Sequence, residues 1–192
     1  MGFTRLQSDA NLYVKKDCQV YILVYVDDLL MIGPTNLLQK ILTLLKEKFL
    51  LKITGDLDFE GSTVVFLGRR LQRVSDSVIM CGTLNYYESD LKFFGLTSSK
   101  PTSLPGASGL KRIQDGDEPL TSKEHAAYRK AVGKLQWEVP IRPDVAYAVK
   151  ELARALAHPL KEDLVKLKTA LRYMKSTSDY RFIVQPDIKL SE

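Results

Sequence analysis

Two adjacent carboxylates, Asp27 and Asp28, interrupt an otherwise apolar run that opens Val20-Tyr21-Ile22-Leu23-Val24-Tyr25-Val26 and resumes Leu29-Leu30-Met31-Ile32-Gly33. Ionised groups buried in such a segment without partners would be very costly, so something must offset their charge or hold them exposed. Oxygen-only donors suit a hard divalent cation, and Mg²⁺ usually takes one or two protein carboxylates together with substrate phosphates. Neighbouring residues of a strand face opposite sides, so this pair can serve one ion only where the backbone turns between them. A tight hairpin, Val20 to Val26 and then Leu29 to Ile32, meets that requirement. A plain Asp-Asp turn between two buried strands is the simpler alternative, because Asp is a common turn residue.

The rest of the first half reads as a sheet with helices. Residues 3 to 14 read as a loop leading to a strand, and Gly33-Pro34-Thr35-Asn36 stops the sheet and can cap a helix. Leu38, Ile41, Leu42, Leu45 and Phe49 recur at three and four residues, which predicts a helix over 37–49. A short extended piece at 50–54 and a turn at Gly55-Asp56 precede one strand over 63–73. That strand would carry Val65, Leu67, Arg69 and Leu71 on one face, with Val64, Phe66, Gly68 and Arg70 on the other. Ser75-Asp76-Ser77 is a turn into a strand at 78–81. Thr83 caps a second helix, 84–94, whose Leu84, Tyr87, Leu91 and Phe94 face inward until Gly95 ends it.

From Thr97 to Leu120 the chain turns to Ser, Pro, Gly, Lys and Asp, which predicts a linker and a domain boundary. Beyond it the pattern is helical. Thr121-Ser122-Lys123-Glu124 is a capping-box sequence that starts a helix reaching about Trp137. Pro143 suits the first turn of the next helix, where Val145, Val149, Leu152 and Leu156 form one stripe. Leu160, Leu164, Leu167, Leu171 and Met174 form another, and three such helices make a small bundle. The fold class expected is α+β, an antiparallel palm-type sheet with helices on one face over 1–96, a linker over 97–120, a helical region over 121–178 and a tail over 179–192.

Composition narrows the function. No apolar run approaches the ~20 residues that a membrane helix needs, and the first residues lack the pattern of a signal peptide. An intracellular, unsecreted protein with no membrane partner is expected. Cys18 and Cys81 are too few and too far apart for a zinc cluster or a disulfide framework. The net charge is +5; residues 1–95 hold 11 Lys and Arg against 11 Asp and Glu, whereas residues 96–192 hold 17 against 12. A basic second half suits a phosphate backbone, and a solvated Lys-rich helix surface would give the same count. His125 and His158 have no ligand partner at a useful spacing and read as structural, as Trp137 and Tyr86-Tyr87 read as core.

Tyr25-Val26-Asp27-Asp28 resembles the metal-binding hairpin of reverse transcriptases, and the wider chain resembles the copia type of LTR retrotransposon polymerase. Met1-Gly2-Phe3 with Asp9 and Leu12-Tyr13 resembles the stretch before that hairpin, and Val65-Phe66-Leu67-Gly68 resembles the primer-grip strand after it. Tyr86-Tyr87 with Leu91 and Phe94-Gly95, Tyr128-Arg129 with Val132-Gly133 and Leu135, Arg142-Pro143-Asp144 with Tyr147-Ala148-Val149, and Arg172-Tyr173-Met174-Lys175 with Thr177 follow in the family's order. Their shared order is the specific feature.

The resemblance implies the end of a polymerase palm followed by a thumb. Asp27 and Asp28 would be catalytic and would ligate Mg²⁺ or Mn²⁺, Asp27 as the stronger ligand. Two-metal nucleotidyl transfer holds its ions within ~4 Å of each other, one activating the primer hydroxyl and one clamping the triphosphate. Tyr25 would support the primer terminus, and Phe66, Leu67 and Gly68 would approach the primer backbone. Arg69 and Arg70 would meet phosphates, and Lys123, Arg129, Lys130 and Lys134 would line the first thumb helix against a template-primer duplex of RNA or DNA. Deoxynucleoside triphosphates are the other partner of the intact enzyme.

The family's third catalytic Asp belongs on a strand expected upstream of Met1, and missing polymerase segments would then come from another chain. The fragment is therefore expected to be inactive alone, as a decayed or excised element copy. Glu138-Val139-Pro140-Ile141 departs from the family, where apolar residues usually continue. A non-catalytic nucleic-acid-binding module and a domesticated protein-interaction piece are the alternatives.

Overall fold

The structure is a computed structural model in which residues 1–82, 86–106 and 118–185 are described. The strands are β1 (Thr4–Arg5), β2 (Leu12–Lys15), β3 (Val20–Tyr25), β4 (Asp28–Ile32), β5 (Thr63–Phe66), β6 (Arg69–Val74), β7 (Ser77–Cys81) and β8 (Phe182–Val184). The helices are α1 (Thr35–Lys46), α2 (Glu88–Phe93), α3 (Ser122–Glu138), α4 (Ala146–Arg154) and α5 (Lys161–Ser176). The fold is α+β, with two antiparallel sheets in the orders β1-β2-β3-β4 and β5-β6-β7-β8 and most helices in the C-terminal part. The chain packs as two compact units, one built on Met1–Ile79 and one on Met80–Val184.

In the first unit, Tyr13, Ile22 and Met31 stand opposite one another on β2, β3 and β4, so they share one face of the sheet. That face carries the buried Val20 and Ile22, and α1 covers it with Ile41, Leu37, Leu38 and Leu45. The helix predicted over 37–49 begins at Thr35, directly after Pro34, and ends at Lys46. Phe49 therefore falls past its end and is exposed, and the piece expected to be extended at 50–54 forms no strand.

The single strand predicted over 63–73 is two strands. Leu67 and Gly68 both take positive φ, 49° and 73°, and reverse the chain between β5 and β6. Two positive φ values in a two-residue connection match the twist of a hairpin. Phe66 consequently faces Arg69, and Val65 faces Arg70. Val64 and Leu71, paired across the hairpin, are its buried side. The face assignment made from uninterrupted alternation fails at the turn, which shifts the parity of every later residue.

In the second unit, Tyr128, Val132, Leu135, Val145, Leu167 and Leu171 are fully buried and knit α3, α4 and α5 together. The Thr121 cap is present as read, its hydroxyl receiving the Glu124 N–H while the Glu124 carboxylate accepts the Thr121 N–H. Pro143 opens a short 3-10 turn that runs into α4. The second predicted helix is shorter than 84–94, starting at Glu88; its proposed cap Thr83 and first residue Leu84 lie outside the described residues. Phe94 and Leu96 enter the helical core. The packing boundary therefore falls upstream of the 97–120 segment.

That segment is not loose at its start. Lys175 donates to the carbonyls of Leu96 and Thr97, Arg172 Nε to that of Lys100 at 3.0 Å, and Ser176 Oγ to that of Thr102 at 2.9 Å. Residues 96–102 are thus strapped along α5. The part of the predicted linker at 107–117 lies outside the described residues.

Leu67 at positive φ is a local misfit that glycine would relieve. Leu67→Gly is expected to raise the urea midpoint of the first unit, and Gly68→Ala to lower stability by about 1 kcal/mol, each read from equilibrium unfolding.

Candidate metal turn and nucleic-acid face

The two candidate sites lie in different units. In the first, β3 and β4 pair down to Tyr25 opposite Asp28, which leaves Val26-Asp27 as a two-residue connection. Val26 has φ of 51° while Asp27 does not, the pattern of a type II′ turn whose first position suits Gly. A β-branched residue there is a genuine backbone outlier, worth roughly 1–3 kcal/mol of strain, and such strain gathers at functional sites.

The apolar flanks hold the strands while the turn itself projects into water. Val26 is 84% exposed, and Tyr25, Asp27 and Asp28 are exposed with it. The carboxylates thus need no buried counter-charge. Among the described residues, no group of three or more His, Cys, Asp or Glu side chains is placed to hold a metal. Asp9, the nearest upstream acid before the hairpin apart from Asp17, is turned onto the Asn11 N–H at 2.9 Å. Two exposed, adjacent carboxylates do not by themselves enclose two ions.

The turn at Leu67-Gly68 redistributes the predicted primer contacts. Phe66 and Arg69 share one face of the hairpin and Val65 and Arg70 the other, so the two arginines diverge. Arg70 Nε is buried with no hydrogen-bond partner among the described residues.

In the second unit, Lys123, Arg129 and Lys130 are exposed on α3. Lys134 is not. Its ammonium pairs with the buried Asp90, donates to the Tyr86 carbonyl at 2.9 Å and to Ser89 Oγ at 3.2 Å, and sits 5.2 Å above the Tyr86 ring. Lys134 therefore clamps α2 to α3, and the basic stripe read from the sequence keeps three of its four members. Trp137, expected in the core, is 44% exposed. The core stripe of α3 is Tyr128, Ala131, Val132 and Leu135. Trp137 instead follows Lys123 and Lys130 at seven-residue intervals, the spacing that would have placed it outside. Gly133, exposed between them, has open space where a Cβ would stand.

No carboxylate of α3 opposes these cations on the exposed face. Glu124 is engaged by Lys161 at 2.9 Å, and hydrogen bonds from Lys161 and Thr121 lower its pKa to about 2. Glu138 is buried, its carboxylate lying against Gly82, where any side chain would collide with it. The departure at Glu138-Val139-Pro140-Ile141 thus ends α3 without disturbing its exposed face. His125 is fixed on the Leu156 carbonyl at 2.9 Å, in keeping with a structural role.

The separate sequence pieces Arg142-Pro143-Asp144 and Tyr173 with Thr177 meet in one network. Arg142 forks onto Asp144 at 3.0 and 2.8 Å and reaches the Thr177 carbonyl at 3.1 Å and hydroxyl at 2.6 Å. Tyr173 donates to Asp144 at 2.8 Å, and the guanidinium stacks 5.7 Å from the Tyr173 ring and 5.3 Å from the Tyr180 ring. Against the opposing effect of burial, the hydrogen bonds from Arg142 and Tyr173 pull the Asp144 pKa below its ordinary value.

Comparison with known proteins finds relatives among transposon proteins. The chain is 32% identical over 195 aligned residues to the retrovirus-related Pol polyprotein from transposon RE1 of Arabidopsis thaliana, covering all of this chain and 13% of the relative. It is 32% identical to the Pol polyprotein from transposon TNT 1-94 of Nicotiana tabacum, over 92% of this chain and 14% of the relative. The whole chain matches one stretch of transposon Pol polyproteins. It spans about an eighth of the length of the Arabidopsis polyproteins it matches, 13% in each case. An uncharacterized mitochondrial protein of Arabidopsis thaliana is 28% identical over 90% of this chain and 68% of its own length. No family model matches, and no solved structure matches.

Breaking the Arg142 network should be costly in a way that charge alone cannot repair. Arg142→Ala is expected to destabilise the helical unit by about 3 kcal/mol in urea unfolding. Arg142→Lys, which keeps the charge and loses the planar fork, should recover less than half of that loss.

Proposed function

We propose that this Pol-like chain is the palm end and thumb of a copia-type reverse transcriptase, and that in isolation it grips nucleic acid without polymerising. The observation that carries the reading is the Tyr25-Val26-Asp27-Asp28 turn, exposed and backbone-strained, in a chain similar over its whole length to transposon Pol polyproteins. In the ancestral reaction a divalent cation, Mg²⁺ or Mn²⁺, would neutralise the triphosphate and activate the primer hydroxyl. Asp27 and Asp28 would hold part of that cation's shell, and Tyr25, opposite Asp28 at the end of β3, would stand beside the primer terminus.

Two carboxylates are too few for this chemistry. A hydrated ion on Asp27 and Asp28 alone binds weakly, because few charged ligands surround it. Nucleotidyl transfer would need a further carboxylate beside Asp27 and Asp28. The α3 face has no such dependence, since Lys123, Arg129 and Lys130 meet phosphates by charge. Lys134, tied to Asp90, acts through the packing of α2. Arg69 and Arg70, on opposite faces of the β5–β6 hairpin, would reach at most different segments of a strand.

Primer extension on an RNA template with Mg²⁺ tests the catalytic half of the reading. The expected result is no extension by the wild type and unchanged duplex retention at low salt in the Asp27→Asn, Asp28→Asn variant. Extension by the wild type that is lost in this variant would contradict the proposed inactivity. Duplex retention lost in the variant would contradict a grip based on α3.

A further inference from the structure

In the first sheet β4 is an outer strand of five residues, whereas β1 at the other edge has only two. Its ladder with β3 closes on Tyr25 opposite Asp28 across the two-residue turn, so that pair exchanges hydrogen bonds and the next pair, Val24 with Leu29, does not. Val24 follows this pattern, since its N–H turns the other way, onto the Asn11 carbonyl at 2.9 Å. By the same alternation the N–H and C=O of Leu29 and of Met31 point away from β3 into the open edge, where they meet no partner among the described residues. Such edges are commonly blunted by Lys, Pro or a bulge. Asp28-Leu29-Leu30-Met31-Ile32 has none of these and carries one charge, at its end. Ile32 is 60% exposed, on the sheet face opposite α1 that it shares with Leu30, Leu23 and Tyr21.

We infer that the β4 edge takes a second copy of this chain, β4 against β4, antiparallel, with Leu30 opposite its own counterpart. The strand is self-complementary in that register. Leu29 faces Met31 and Met31 faces Leu29, so the outward groups of both copies meet and four hydrogen bonds close. Asp28 falls opposite Ile32, which keeps the two Asp28 carboxylates four residue steps, about 14 Å, apart along the strands. The contact is isologous about a two-fold axis normal to the sheet. Both open faces therefore lie on one side, and Leu30 and Ile32 of each copy continue a single apolar surface. The inference is independent of nucleic-acid binding by α3.

Sedimentation equilibrium of the full chain over a concentration series tests it, with circular dichroism to separate loss of fold from loss of contact. The wild type should approach twice the mass of one chain as concentration rises. Leu30→Lys sets two like charges opposite each other and should weaken association about 10-fold or more, as should Leu30→Glu. An equimolar mixture of these two variants should associate again, because each Lys then faces a Glu. Met31→Pro removes an outward N–H while sparing the ladder with β3, and it should weaken association with unchanged circular dichroism. Ile32→Lys, an exposed change that places the ammonium opposite Asp28 of the other copy, should keep the pair together. A wild type that stays monomeric at every concentration overturns the inference. So does an association that Leu30→Lys and Met31→Pro leave untouched, since the contact then lies elsewhere, and one that Ile32→Lys disperses, since the register is then wrong.

Discussion

The Arg142 guanidinium joins three parts of the helical unit that the chain delivers far apart: the turn after α3, the start of α4 and the C-terminal end of α5. A buried cation is tolerated only when its donors are met, and here Asp144, both oxygens of Thr177 and two aromatic rings meet them. Tyr173 and Thr177 belong to the last turn of α5, and the same stretch sends Arg172, Lys175 and Ser176 the other way, onto the carbonyls of residues 96–102. One short segment therefore orients α4 on one side and straps down the chain leaving α2 on the other. The side of α3 opposite its exposed face packs into this core.

The first unit is organised differently. Its sheet is covered by α1 on one face, and the Val26-Asp27 turn leaves that sheet at the far end of β3. The apolar run that makes Asp27 and Asp28 look anomalous in sequence serves the strands alone. The charges sit in water, where they need no buried partner. Strain is concentrated in Val26, a residue whose side chain disfavours the conformation the turn demands.

Much of this was legible in the sequence because the decisive signals were local. The Asp-Asp pair between apolar strands, the Thr121 to Glu124 box and the Leu164, Leu167, Leu171 and Met174 stripe all act within one or two turns of chain. The misreadings share a different cause. Leu67-Gly68 sits inside unbroken alternation, and leucine is a poor advertisement for positive φ, so the pattern reads as one strand where a hairpin forms. Lys134 looks like its neighbours Lys123 and Lys130, yet its partner Asp90 is 44 positions away. The strap at residues 96–102 has the composition of a linker, and only the side chains of α5 convert it into structure. Trp137 is the converse case: a large aromatic reads as core by default, and its seven-residue phase with two lysines outweighs its size.

Three exposed cations on α3, Lys123, Arg129 and Lys130, are proposed to bind nucleic acid by charge, independently of the Asp27-Asp28 turn. The salt dependence of duplex binding tests it most directly. Neutralising three phosphates should give a log-log slope of about −2.7, the same in the wild type and in Asp27→Asn, Asp28→Asn, and close to zero when Lys123, Arg129 and Lys130 are all replaced by Gln. A slope that survives the triple replacement, or that collapses when only the two carboxylates are changed, would contradict binding through the α3 cations.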